Sequence, residues 1–328
     1  AAIVGQKEGE GPYGKFFDEI LNDDKAGCEC WEEAEGKLQE MAANKALSKS
    51  GLEKKDIRYI VAGDLLGQLM ASSFGLMKLE IPMFGIYGAC STMGESISIA
   101  SMLVDGGYAD NILAITSSHF ASAEKQFRFP LGYGSQRKMA STWTVTGSGA
   151  VIISSEKMAQ KANMSDKNKV HITGITTGKI VDFGVKDSMN MGACMAPAAG
   201  NVIVQNLIDN GRKPEWYDKI ITGDLGLVGK DILLDITRSK GYDIADRYMD
   251  CGIEIYSREQ EIQAGGSGCG CSASMLAGYI VKMLEKGTWQ RVLFVPTGAL
   301  LSPVSFNEGD SVPGIAHAVV FECSGESQ

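Results

Sequence analysis

Gly88-Ala-Cys-Ser-Thr92 places a cysteine where an apolar run ends and a helical pattern begins. A thiol at a helix N-terminus is well placed for chemistry, because the helix dipole favours the thiolate. Cys90 therefore reads as a nucleophile, a ligand contact or a small buried side chain. A nucleophile also needs bases or oxyanion donors facing it. The chain has three histidines: His119 closing an apolar run, His171 in a polar linker and His317 in the last apolar run. Gly63-Asp-Leu65 and Gly223-Asp-Leu225 supply two acids in the same setting, Asp64 and Asp224. Each acid either caps a turn or reaches a pocket. Gly265-Gly-Ser-Gly-Cys-Gly-Cys271 gathers Ser267, Cys269 and Cys271 in a glycine-rich turn. Its amides can approach an anion, or the turn simply leads into a helix. The glycine spacing fits neither a dinucleotide fingerprint nor a P-loop. Cys269 with Cys271, and Cys28 with Cys30, lack the second pair that a zinc site requires.

The elements that must hold these residues follow from periodicity. Ile57–Ala62, Pro82–Tyr87, Asn111–Thr116 and Ala150–Ser155 are short apolar runs bounded by turn residues, and read as buried strands. Trp31–Ser50 carries Ala34, Leu38, Met41, Ala42 and Leu47 at helical spacing. A second helix follows Cys90, with Ser91 or Thr92 as cap and Glu95 in its first turn, and stops at Gly106-Gly107. Glu95 either points to the pocket or complements the dipole. Arg128, in Gln126-Phe-Arg-Phe-Pro130, is a carboxylate clamp or a surface ion pair. Residues 1–30 read as irregular.

The second half repeats the first. Tyr59–Leu65 is matched by Lys219–Leu225, 160 residues on. Cys90-Ser-Thr, its helix and Ile112–Thr116 are matched by Cys271-Ser-Ala, its helix and Leu293–Thr297, 181 residues on. Gly149–Ile153 is matched by His317–Phe321, 168 residues on. Three matches in one order mean duplication, with halves at 1–160 and 161–328. Alternating strands and helices predict an α/β layer fold. A pseudo-twofold would make Cys90 and Cys271 equivalent helix N-termini at the seam between halves. Strand ends of this kind are where α/β ligands bind, and the two helix N-termini would offer N–H groups to an anion.

Composition narrows the function. The net charge of −9 argues against nucleic acid as a partner. Glycine stands at 40 of 328 residues, against a usual ~7%, so tight turns and close backbone approaches are expected. The two long uncharged runs, Ser188–Ile208 and Ile262–Val281, are interrupted by polar residues and glycines, and neither is the apolar stretch of about 20 that a bilayer needs. No signal peptide is read at Ala1. Eight scattered cysteines do not form a disulfide framework.

A duplicated α/β unit with a cysteine at a strand-to-helix turn resembles the thiolase and ketoacyl synthase superfamily. Ala62–Leu66, Tyr87–Met93, Thr116–His119, Ala123–Pro130, Thr144–Ala150, Met195–Ala199, Ala264–Cys269 and Thr297–Pro303 narrow this to a resemblance to the stage V sporulation protein AD family. The resemblance implies two βαβαβαββ halves in a five-layer αβαβα arrangement. It also implies binding of dipicolinic acid (pyridine-2,6-dicarboxylate) during its uptake into the developing spore, beside membrane proteins of the same stage V operon. The chain would then be peripheral on the forespore or spore inner membrane, and a homodimer. The superfamily's histidine is expected near Gly223-Asp-Leu225 or near Gly266-Ser-Gly268, and neither place has one. The expectation is thus a non-catalytic ligand site at Asp64, Cys90, Ser91, Glu95, His119, Asp224, Ser267, Cys269 and Cys271. No resident cofactor or metal is expected, and Ca²⁺ would arrive only with the ligand. The rival expectations are an acyl-CoA condensing or thiolytic enzyme using Cys90, and a scaffold with an empty pocket.

Overall fold

The computed structural model describes residues 1–127, 137–161 and 169–323. Its first half supplies β1 (Ala2–Val4), β2 (Glu19–Ile20), β3 (Tyr59–Gly63), β4 (Met83–Gly85), β5 (Asn111–Ser118), β6 (Trp143–Thr144) and β7 (Gly147–Ser154). Its second half supplies β8 (Val170–Thr176), β9 (Lys219–Thr222), β10 (Tyr248–Asp250), β11 (Gly266–Ser267), β12 (Arg291–Val295), β13 (Thr297–Ala299), β14 (Gly314–Ala316) and β15 (Ala318–Cys323). One sheet runs β2-β1-β7-β5-β3-β4 and the other β10-β9-β12-β15-β8. Without β2 the two orders are the same, so the repeat read in the sequence is a repeat of topology. In each, two parallel pairings are followed by two antiparallel ones: β3 with β4 and β5, then β5 with β7 and β7 with β1; β9 with β10 and β12, then β12 with β15 and β15 with β8.

Alternation along the strands builds the layers. Side chains of a strand point to opposite faces, and here both faces are apolar, as in sheets covered twice. In β5, Ile112 and Ala114 enter one core and Leu113 and Ile115 another. In β12, Val292 and Phe294 share the core of Ile112, while Leu293 and Val295 enter a third. The shared core holds Met93 and Ile97 from the Thr92–Asp105 helix and Met275 and Leu276 from the helical run that starts at Cys269. The outer faces are covered by the Trp31–Ser50 helix on the first sheet and the Met191–Asp209 helix on the second. The result is the expected five layers, with the two inner helices between the sheets. Met191–Asp209 is long and apolar enough to cross a membrane by length and composition, but 67% of its apolar window is buried in this fold.

Glycine makes the middle layer this thin. A Cβ on Gly149 in β7 would lie 2.1 Å from the carbonyl oxygen of Ala273, and one on Gly270 2.4 Å from that of Gly147. The second half's inner helix therefore rests backbone-to-backbone on the first half's sheet.

Four expectations need correction. Residues 1–30 are not simply irregular: Ala2–Val4 forms β1 and pairs antiparallel with β7. Three apolar residues are too few for a period to show. His171 lies on β8, where exposed and half-buried residues alternate, rather than in a linker. Ser91 sits at the N-cap position, yet neither its hydroxyl nor that of Thr92 caps a helical amide; both donate backwards, to Gly88 O at 2.6 Å and Ala89 O at 2.5 Å. Cys271 is not a helix N-terminus equivalent to Cys90, since its helix already starts at Cys269. Arg128 lies outside the described residues.

Candidate functional site

Cys90 lies in the turn between β4 and the Thr92–Asp105 helix. Ala89, just before it, holds φ at +51°, a left-handed conformation unusual for a residue with a side chain. The turn is tight enough that a Cβ on Gly298 would lie 2.3 Å from Gly88 O. Cys90 is buried and lines a cavity of about 20 Å³ with Leu65, Tyr87, Glu124, Thr144, Ser267 and Gly268. Met191, Ala299 and Leu301 close its other side. That volume holds one water, whereas small-molecule sites start near roughly 300 Å³.

The thiol is not poised as a thiolate. Burial pushes the Cys90 pKa well up, and the neighbouring Asp224 carboxyl pushes the same way. The amide of Gly268 acts in the opposite sense. Asp224 is itself fully buried. It accepts from Gly268 N at 2.9 Å and Thr297 Oγ1 at 2.7 Å. Burial outweighs these bonds and raises its pKa to about 7. Tyr87, beside the thiol, is pushed to about 12, chiefly by burial.

Asp64 shares the Gly-Asp-Leu sequence of Asp224 but not its partners. It accepts from Leu66 N and Ser72 N, both at 2.8 Å, and from Ser72 Oγ at 2.6 Å. It thus stitches its own half, behind the cavity. Glu35 lies in the same buried network, accepting from Ser117 Oγ at 3.0 Å and Ser122 Oγ at 2.5 Å. Burial and then Asp64 raise Glu35 to about 8.

Of the other expected site residues, only Ser267 lines the cavity. Ser91 is buried and spends its hydroxyl on Gly88 O. One Glu95 oxygen is buried close to Gly88 and accepts no hydrogen bond among the described residues, and burial alone raises its pKa. His119 faces elsewhere: Nε2 meets Asp24 O at 2.9 Å and Nδ1 accepts from Ala121 N at 3.1 Å. Those bonds place its proton on Nε2. Cys269 lies against Leu65 and Cys90 in a small apolar cluster and donates to Ser117 O at 2.8 Å. Cys271 is in the middle core, 3.5 Å from Gly223 O. His317 is buried, accepts from Gly178 N at 3.4 Å, and is lowered in pKa by burial. Among the described residues no histidine lines the cavity, and no three His, Cys, Asp or Glu side chains converge as a metal site would require.

The amides expected to receive an anion are committed within the protein. Gly268 N donates to Asp224, Gly270 N to Ser118 Oγ at 3.1 Å, and Cys271 N to Gly268 O at 2.9 Å. Before the other helix, Ser91 N and Thr92 N donate to Gly88 O and Ala89 O. Sequence reasoning also missed a buried ion pair at the cavity wall, between Glu124 and Arg137. Its only signal was the Ala123–Pro130 motif.

Two sheets in one duplicated order, a middle layer of two helices and a cysteine at the turn into one of them define a thiolase-like protein. Solved structures agree. The 3-oxoacyl-[acyl-carrier-protein] synthase III of Aquifex aeolicus VF5 is 16% identical, with 87% of this chain and 83% of that one covered at a TM-score of 0.52. The Acat5 thiolase of Ascaris suum, solved with coenzyme A, is 12% identical, with 88% and 93% covered at 0.57. Within that class, residues 1–322 match the family model of stage V sporulation protein AD. The stage V sporulation protein AD of Bacillus subtilis (strain 168) is 45% identical over 322 residues, 98% of this chain and 92% of that protein. The chain belongs to the stage V sporulation protein AD family, and its role is in sporulation.

Proposed function

We propose that this protein is a thiolase-like fold turned from acyl transfer to ligand binding, and that the ligand is dipicolinic acid. One observation carries the reading: an acid, Asp224, meets Cys90 where the ketoacyl synthase pattern expects a histidine. A carboxyl there, unlike an imidazolium, cannot hold the cysteine as a thiolate. Its charge opposes thiolate formation, and burial does the same. The same acid suits a carboxylate ligand when protonated, because it can then donate a hydrogen bond to an anion. The ligand would sit at the Cys90 cavity, between Asp224, Ser267 and Glu124, with the side chains around the cavity moving to make room.

Membrane proteins of the same stage V operon are the partners this reading expects, at the forespore or spore inner membrane, and a homodimer is the expected assembly. Ca²⁺ would enter as the ligand's companion and not as a resident ion. Calorimetric titration with dipicolinate, with and without Ca²⁺, tests the reading, with pyridine-2,4-dicarboxylate as control. Saturable binding of the 2,6 isomer alone is the expected result. Absence of heat with either isomer, together with a mass increase on Cys90 after incubation with acyl-CoA, would replace the reading by enzymatic acyl transfer.

A further inference from the structure

The dicarboxylate reading leaves a charge to be met, and the cavity lining does not meet it. Among the described lining residues the only acidic side chain is Glu124, and no lysine or arginine is present. A cation stands one shell behind. Arg137 Nη2 lies 3.4 Å from Glu124 Oε1, with the two side chains 5% and 1% exposed. Its guanidinium is fixed from other directions. Nη1 donates to Thr142 O at 2.7 Å, and the group lies 4.5 Å from the ring centre of Trp143 and 5.4 Å from that of Phe120. Those two rings stack at 4.0 Å, 14° from parallel, so the plane is set by packing. Nη2 makes no hydrogen bond among the described residues. Glu124 is held on the cavity side by Thr144, whose hydroxyl donates to Oε1 at 3.0 Å.

The geometry points to Arg137 as the carboxylate-binding residue of this site, masked by Glu124 until a ligand carboxylate takes that position. A pre-oriented guanidinium favours bidentate capture of a planar carboxylate. Exchanging one carboxylate for another leaves the buried arginine paired throughout. Displacing Glu124 also removes a side chain from a cavity that is too small for a ligand. The same exchange explains how a pocket with a carboxylate in its wall can admit an anion. The inference rests on the proposed ligand reading and adds the residue that selects for carboxylate.

Calorimetry with dipicolinate, with isophthalate (the same two carboxylates without the ring nitrogen) and with neutral pyridine-2,6-dicarboxamide tests it on the full chain. The natural protein should bind both dianions and not the diamide. Glu124→Gln should bind dipicolinate about tenfold more tightly, because an amide competes poorly for the guanidinium. Arg137→Gln should bind it at least tenfold more weakly, and Arg137→Lys should recover little, since an ammonium lacks the fork. Far-ultraviolet circular dichroism and melting curves check that each variant is folded. Should Arg137→Gln fail to fold, the tightening in Glu124→Gln decides alone. Wild-type binding with unchanged or weaker affinity in folded Glu124→Gln would overturn the masking and leave the ligand reading standing. Absence of dianion binding by the natural protein would overturn both.

Discussion

Asp224→Asn isolates the acid at the centre of the site. In the unfolded chain this carboxyl ionises near its ordinary 3.8, and in the fold near 7. Between those values the folded state binds more protons, so stability falls as pH rises through the window and levels off above it. Between about pH 5.5 and about pH 8.5, Asp224 alone should remove about 2 kcal/mol of unfolding free energy. For a chain of 328 residues that is about 3 °C in melting temperature. Glu8 and Glu35, raised to about 7 and about 8, slope the same way and stay in the variant. The informative quantity is therefore the difference between the two pH profiles. The amide keeps an oxygen for Gly268 N, presents an N–H to the Thr297 hydroxyl, which can turn to accept it, and never ionises. Melting curves at the two pH values should show the variant losing about 3 °C less than the natural protein on going to high pH. Removing the neighbouring charge should also speed alkylation of Cys90 in the variant. Parallel pH profiles would refute the argument, and show that Asp224 is ionised throughout.

Dipicolinate affinity should be greatest below pH 7 and weaken above it, toward tenfold per pH unit, as Asp224 ionises; pH-series calorimetry checks this. Peptide mapping after iodoacetamide at pH 8 should find exposed Cys30 modified first and Cys90 at least about tenfold more slowly. Early labelling of Cys90 would revive the nucleophile. Gly149→Ala forces a methyl group into the Ala273 carbonyl and should lose about 3 kcal/mol or the soluble protein altogether, as urea unfolding would show. Ala89→Gly relieves a left-handed backbone and should keep full stability or gain up to about 1 kcal/mol.

What could be read from the sequence follows the physics of burial. β3, β5, β9 and β12 are covered on both faces, so they stand out as apolar runs. β1 is too short and β8 too polar to register. The Cys90 turn was legible because glycine, cysteine and hydroxyl residues crowd a strand-to-helix junction. The contrast between Asp64 and Asp224 was not, since both sit in Gly-Asp-Leu and differ only in partners brought from elsewhere: Ser72 for one, Gly268 and Thr297 for the other. Glu124 and Arg137 were missed for the same reason, as an ion pair between residues 13 apart leaves no periodic trace. His119 shows the converse. Its residue type suggested a site, and two local hydrogen bonds use both of its ring nitrogens.

The backbone contact of Gly149 with Ala273, and of Gly270 with Gly147, also sets the order of events at the ribosome. The first sheet can pair its strands and take the Thr92–Asp105 helix as soon as β7 has emerged, but the part of its inner face over β7 waits for a helix more than a hundred residues downstream. Throughout that interval the nascent chain carries an open apolar face. Factors that shield it, or pauses that prolong it, would govern the yield of native protein more than any single contact in the finished fold.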